Sequence, residues 1–430
     1  MLFRSATRGY KPTVFEKSAR PGGMMTYGIP SFKLEKTIID AEIQVLRELG
    51  VEIRCGVEVG RDVTIPQLRE QGFLAFYIAI GCQGGRLPGV PGEHAAGTDI
   101  AVHFLHEALA DENQHMDGRV VVIGGGNVAV DCARTAVRFG AEAVSMVCLE
   151  SRDTMPASKD EIAEAEEEHI EIHTGWGPKE LLQDESGHVT AVVFKKCLRT
   201  IDPETGKFAP VYDEAETITL PADHVVFAIG QAIEWGGLLK DTKVTFHRGN
   251  YPVADPLTYQ TAEADIFVGG DVYHGPKFVI DAIEEGKCAA ESLHRYVHKG
   301  ASLTIGRNRR DFVMLDKENF SVNCYDHATR QTEAVDPAVE AHSFRDARKT
   351  LTSEQVQTET ARCLGCGASW VDPNKCIGCG VCTTKCVFDA IHLKRDHPEC
   401  STMMKAEDKL KGIASMACKR LGQTLRGRKG

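Results

Sequence analysis

The stretch Arg119-Val-Val-Val-Ile-Gly124-Gly-Gly126-Asn127-Val-Ala129-Val-Asp-Cys-Ala-Arg134 constrains the fold of this chain more than any other. An apolar run of strand length enters three glycines, and helical spacing follows at once. An apolar run without alternation suits a strand buried on both faces of a parallel sheet. Gly124 allows a tight turn, Gly126 lets backbone N–H groups come close to a pyrophosphate, and Ala129 lets helix and strand pack together. Val128 to Phe139 keeps helical spacing, Gly140 ends it, and Ala143–Cys148 returns as a second strand. The helix start at Asn127 offers its partial positive charge to phosphates. A lone glycine triplet would say little. The alternative, a phosphate-free turn in a generic α/β domain, does not need this whole context.

Glu150 stands just after the second strand, where a dinucleotide fold places its ribose-reading group. A carboxylate there accepts from the ribose 2′-OH and repels a 2′-phosphate, which favours NAD(H) over NADP(H). Arg152, two positions on, offers a cation that can bind such a phosphate. The plainer reading of Glu150 is a solvated loop charge.

Further segments look like one domain wrapped around that unit. Thr13-Val-Phe-Glu16-Lys17 is a short strand ending in an acid, followed by Pro21-Gly-Gly23-Met24-Met25 and Tyr27-Gly28-Ile29-Pro30. Phe76–Gly81 is another apolar strand. Later come Val225-Val-Phe-Ala-Ile-Gly230-Gln231 and Asp265-Ile-Phe-Val-Gly269-Gly270-Asp271. An apolar run into Gly-Gly-Asp suits close approach to a polyhydroxyl chain, with the aspartate taking hydroxyls. Phe278 to Tyr296 reads as a helix whose N-terminus stabilises negative charge.

Over residues of about 10–300 these segments, with Met155-Pro-Ala, resemble the small subunit of glutamate synthase and its relatives, FAD/NAD(P)-dependent oxidoreductases with two dinucleotide-binding domains. The resemblance implies FAD contacts at Glu16, Gly23, Met24 and Asp271, and hydride exchange between a nicotinamide and FAD; Gly230 and Gly270, at the ends of the two later apolar runs, are further cofactor-binding candidates. Many members carry two arginines where this chain has Leu149 and Glu150, and use NADPH. The family also places a first strand and a glycine-rich turn before the Glu16 strand, and an N-terminal iron–sulfur domain. Met1 to Tyr10 resembles only the end of the helix after that turn. The expectation is an N-terminally truncated flavoprotein, or one whose central strand comes from another polypeptide.

Cys376-Ile-Gly-Cys379-Gly-Val-Cys382-Thr-Thr-Lys-Cys386 has the spacing Cys-x2-Cys-x2-Cys-x3-Cys, and Gly378 and Gly380 let backbone amides reach sulfides. It resembles the [4Fe–4S] segment of bacterial-type ferredoxins. Cys376, Cys379 and Cys382 are the first three expected ligands and Cys386 the fourth. In two-cluster ferredoxins the fourth cysteine serves the other cluster. A second cluster on Cys363, Cys366 and Cys386 stays open, short of a ligand because Ser369 stands where a third cysteine is needed. A zinc site from Cys363, Cys366, Cys376 and Cys379 ranks lower, since it leaves Cys382 and Cys386 idle.

Fifteen cysteines, six of them within Cys363–Cys386, read as metal binding in a reducing compartment rather than a secreted disulfide scaffold. Met1 to Pro12 has no apolar signal core and no stretch approaches a membrane span, so a cytoplasmic protein is expected. A net charge of −11 argues against nucleic acid as partner.

The expected architecture is α/β, with two Rossmann-like dinucleotide-binding domains and a small ferredoxin-like module. An FAD-type domain takes 1–115 and 225–298, and the NAD(P)-binding domain is inserted at 116–224. A surface linker takes 299–357, the [4Fe–4S] module 358–395 and a basic tail 396–430. The acidic run Asp160 to Glu168 reads as a solvated helix face, His103 and His106 as packing or surface residues, and the tail as a helix that docks a partner or frays. Cys82 and Cys288 form no Cys-x-x-Cys pair, so flavin–disulfide chemistry finds no support. The expected function is electron transfer from NADH through FAD to a [4Fe–4S] cluster and on to a redox partner or larger reductase subunit. No residue is catalytic in the acid–base sense. Reverse flow to NAD+, and a non-catalytic module that binds nucleotide and cluster without FAD, are the alternatives.

Overall fold

The structure is a computed structural model that describes residues 1–247, 249–307, 328–336, 339, 342–363, 371, 376–385, 391–394 and 408–426. The chain divides into two compact units, Met1–Val322 with Thr329–Gln357, and Asn323–Ala328 with Thr358–Gly430.

The first unit opens with α1 (Leu2–Thr7), β1 (Thr13–Glu16), α2 (Met24–Tyr27), α3 (Lys36–Glu48), β2 (Glu52–Cys55), α4 (Ile65–Glu70), β3 (Phe76–Ile78) and the two-residue β4 (Gly84–Gly85). α4 starts on a reciprocal cap: Thr64 Oγ1 accepts from the Gln67 N–H, and Gln67 Oε1 accepts from the Thr64 N–H.

The middle of the chain runs β5 (Thr98–Ile100), α5 (Ala101–Ala110), β6 (Arg119–Ile123), α6 (Asn127–Arg138), β7 (Ala143–Cys148), α7 (Lys159–Glu167) and β8 (Glu171–Thr174). Next come β9 (Trp176–Gln183), β10 (Val189–Ile201) and β11 (Phe208–Pro221), which form an antiparallel sheet of their own. β12 (His224–Phe227) returns to the first sheet, whose order is β5-β12-β6-β7-β8 and whose neighbours are all parallel. Val120 and Val122 of β6 pack with α5 and α6, while Val121 and Ile123 pack with Phe194 and Val192 of the antiparallel sheet. Burial on both faces is why β6 carries no polar alternation.

The nucleotide-binding sheet is therefore wider than the expected 116–224, because it takes in β5 and β12. Val225–Phe227 was expected in the flavin-type domain. A doubly buried strand reads the same in either sheet, and only its pairing with β6 decides where it belongs.

After β12 come β13 (Gln231–Ala232), β14 (Ile266–Val268), α8 (Asp271–His274) and α9 (Val279–Val297). β13 pairs with β4, β14 lies parallel to β3, and β1 lies parallel to β2. The flavin-type half thus carries two separate parallel ladders, and among the described residues no backbone bond joins them.

Two expectations are corrected by packing. The acidic run is not simply a solvated face. Glu168 accepts from Arg134 at 2.8 Å and from Arg138 at 2.7 Å, Glu164 pairs with Arg134, and Glu161 pairs with Lys33, which also holds Asp131 at 2.7 Å. Long-range partners of a charge run are invisible in local composition. Nor is 299–357 only a surface linker. Phe344 lies between Phe32 and Phe139, with ring centroids 6.2 and 5.5 Å away. Arg138 donates to the Ser343 carbonyl, Arg348 donates to the Lys33 carbonyl, and Arg345 pairs with Glu35. One aromatic anchor among charges leaves no periodic trace.

α10 (Ser353–Ala361) leads from the first unit to the second, which contains α11 (Val381–Lys385) and α12 (Lys409–Arg426). On α12, Leu410, Ile413 and Met416 are exposed. No helix among the described residues is long and apolar enough to cross a membrane.

Candidate nucleotide and iron–sulfur sites

The turn between β6 and α6 is built by glycines with different tasks. Gly124 has φ 152°, its N–H donates to the Val147 carbonyl, and a Cβ there would sit 2.4 Å from the Ala228 oxygen. Gly126 has φ −96° and ψ 175°, open to any residue, and a Cβ there would meet nothing within 4 Å. Free space thus lies directly before the N-terminus of α6, where orphan N–H groups and the macrodipole favour an anion. Ala129 is fully buried against the sheet.

The ends of β7 and the following loop close over this turn. A Cβ on Gly125 would lie 3.1 Å from Glu150 Oε2, so the carboxylate hangs beside the turn. The Ala157 N–H donates to the Gly125 carbonyl, and the Ser158 N–H donates to Asn127 Oδ1 at 2.9 Å. Asn127 therefore fastens the Met155-Pro-Ala loop to the turn. Arg152 opens a 3-10 turn, Arg152–Thr154, and its guanidinium lies 2.5 Å from Glu166. Burial pushes the Cys148 thiol up to about 12, helped by the Glu150 charge and opposed by Arg152. A thiol so placed is inert. The glycine turn, the open helix start and the carboxylate at its side fit the pyrophosphate and ribose of a dinucleotide.

In the flavin-type half, Glu16 ends β1 and its Oε1 accepts from the Ser18 N–H at 2.8 Å. Gly23 has φ 55° and caps α2, which begins at Met24. Lys36 donates to the carbonyls of Met25 and Ile29, tying α2 to the turn that follows it; burial pushes its ammonium down to about 8. Gly270 has φ 73°, and its N–H donates to Glu285, a residue only 6% exposed on α9. Asp271 Oδ1 accepts from the Lys277 N–H at 3.2 Å, and burial pushes its carboxyl up. Gly230, at φ 119°, lies just before β13. The positive-φ glycines and the half-buried Asp271 fit close approach by a polyhydroxyl chain. A pyrophosphate cradle like that at Gly124–Gly126 has no counterpart among the described residues of this half.

In the second unit Cys376, Cys379 and Cys382 are free and exposed, and Gly378 and Gly380 have φ 66° and 78°. The Thr383 N–H donates to the Gly380 carbonyl at the start of α11. Among the described residues no three donors converge on a metal position. Cys386 and Cys366 lie outside the described residues, while Cys363 is exposed just beyond α10. A close run of uncommitted thiols across positive-φ glycines fits the chemistry of a cluster. Elsewhere, His103 pairs with Asp99 at 2.8 Å and His106 stacks on Tyr27 at 5.0 Å. Both are packing or surface groups. Sequence reasoning missed Lys36 and Glu166, whose partners depend on folding and leave no local signal.

Residues 62–286 match the pyridine nucleotide-disulphide oxidoreductase family, and 369–392 match the 4Fe-4S binding domain. The chain is 34% identical over 373 residues to the NADP(+)-dependent formate dehydrogenase subunit beta of Moorella thermoacetica, covering 85% of this chain and 52% of that one. It is 35% identical over 306 residues to the glutamate synthase [NADPH] small chain of Halomonas elongata, covering 67% of this chain and 63% of that one. It thus spans about half to under two thirds of these relatives. Mycobacterium tuberculosis FprA in complex with NADPH shares the fold, with a TM-score of 0.57 at 18% identity over 69% of this chain and 81% of that one. The glycine turn, the parallel sheet around it and the cysteine run agree with these matches: the chain belongs to the pyridine nucleotide-disulphide oxidoreductase family, an FAD- and NAD(P)-binding fold, and carries a 4Fe-4S binding domain in the same polypeptide.

Proposed function

We propose that this chain takes electrons from NADH through FAD to a [4Fe–4S] cluster and on to a partner protein or larger reductase subunit. The observation that carries the reading is a nucleotide site with Glu150 beside its glycine turn, in one chain with the cysteine run. Gly124, Gly126, Asn127 and Ala129 shape the pyrophosphate site, and Glu150 accepts from the ribose 2′-OH. Glu16, Gly23, Met24, Gly230, Gly270 and Asp271 would hold FAD, and Cys376, Cys379, Cys382 and Cys386 the cluster. When bound, the flavin links two-electron nicotinamide chemistry to one-electron cluster chemistry. The protein supplies orientation and electrostatics, and no acid–base side chain is required of it.

The relatives named above use NADP(+) or NADPH by name, and Glu150 is the reason for assigning NADH here. Their names as subunits and small chains support a partner subunit. Exposed free thiols suit a reducing compartment, and the cytoplasm is proposed.

The test is an anaerobic visible spectrum of the purified chain before and after NADH. Flavin bands over a broad iron–sulfur shoulder, bleaching on addition, are expected. Flavin bands that stay unchanged would overturn the reading. The two separate ladders of the flavin-type half favour one second reading, a module that holds nucleotide and cluster without FAD. It predicts the broad shoulder alone.

A further inference from the structure

The cation that follows Glu150 in sequence is not free to serve a phosphate. Arg152 sits in the turn after β7, and its guanidinium is drawn 2.5 Å from Glu166 in the last turn of α7. Arg152 still lies near the site, since its charge is felt at Cys148, the residue against which Gly125 packs. Helix stability does not explain Glu166. A carboxylate in a last turn faces the negative end of the macrodipole and is disfavoured there. Its neighbours on α7 are otherwise engaged, Glu161 by Lys33 and Glu164 by Arg134. Glu166 faces the other way, toward the loop that carries Glu150 and Arg152.

We propose that Glu166 is a specificity-determining residue of the nicotinamide site. It occupies Arg152, so a 2′-phosphate entering beside Glu150 meets a carboxylate and no counter-cation, whereas a 2′-OH needs only Glu150. The discrimination has two parts, one repelling and one withholding attraction. Glu166 acts through Arg152 and touches no substrate. This rests on the NADH reading above. The pair is half-exposed, with 42% of the Arg152 side chain and 54% of the Glu166 side chain accessible, so one substitution opens it.

The test is the dissociation constants of NADH and NADPH for the full chain, read by titration without turnover. In Glu166→Ala, NADPH affinity is expected to rise about fivefold, the worth of one exposed charge contact, while NADH affinity stays within about twofold. The double variant Glu166→Ala with Arg152→Ala is expected to lose that gain. If the wild type binds NADH more tightly but Glu166→Ala leaves NADPH unchanged, the lock is refuted and the NADH reading stands. A gain that survives in the double variant also refutes it, because loss of negative charge alone then explains the effect. A wild type that binds NADPH more tightly refutes both.

Discussion

Gly124 and Gly126 stand two positions apart and answer to different forces. At Gly124 the backbone is left-handed and a methyl would meet a carbonyl oxygen at 2.4 Å. Gly124→Ala is expected to lose about 1–3 kcal/mol of stability in a denaturant melt, from strain and backbone displacement. At Gly126 the backbone is ordinary and the space is open. Gly126→Ala is expected to keep the wild-type midpoint but bind dinucleotide about tenfold more weakly, since the methyl fills the space a pyrophosphate needs. Equal melting losses in both variants would contradict the assignment. At this scale the sequence was informative on local geometry: Gly124 makes the turn, Ala129 is buried and Glu150 stands beside Gly125, while the ribose role of Glu150 is a proposal. It read Glu166 only as part of a solvated charge run and passed over Lys36, because their partners come near only on folding.

Elements meet through pairs that no periodicity announces. Glu291 on α9 takes Arg8, just past α1, at 2.6 Å and Arg295 at 2.7 Å. Burial pushes its carboxyl up, but the two guanidiniums outweigh burial and hold it down at about 2, against 4.5 for the free group. A depressed carboxyl stabilises the fold above its unfolded value and loses that contribution as pH falls toward its folded value. The stability gap between wild type and Glu291→Gln is therefore expected to be full above about pH 4.5 and to close toward pH 2. A gap independent of pH in acid melts would refute the pairing. Individual strands and helices were legible because β6 is an apolar run without alternation and α6 keeps helical spacing after the glycines. Which sheet β12 joins was not, because pairing is a relation between distant segments.

The nucleotide-binding match falls in the first unit and the 4Fe-4S match in the second. Cys379→Ala is expected to abolish the broad iron–sulfur absorption and leave NADH affinity within about twofold, given that the nucleotide site lies wholly in the first unit. Joint loss of both would show that the units depend on each other. A nucleotide-binding match followed by a 4Fe-4S match agrees with the order of the two motifs in the sequence. The role of 343–348 was not, for a strap is defined by what it covers.

That strap decides where the polypeptide can be cut. Shortening it to residues 1–357 keeps the Phe344 ring between Phe32 and Phe139. Ending it near residue 300, just past α9, removes Phe344 from both rings, takes the Ser343 carbonyl from Arg138 and takes Arg345 from Glu35. The longer fragment is expected to melt like the first unit of the whole chain, and the shorter to be less stable by about 2 kcal/mol, the worth of one aromatic packing contact. The match to the pyridine nucleotide-disulphide oxidoreductase family ends well before the strap, at residue 286. A fragment trimmed to that match would therefore be missing a piece of its own core.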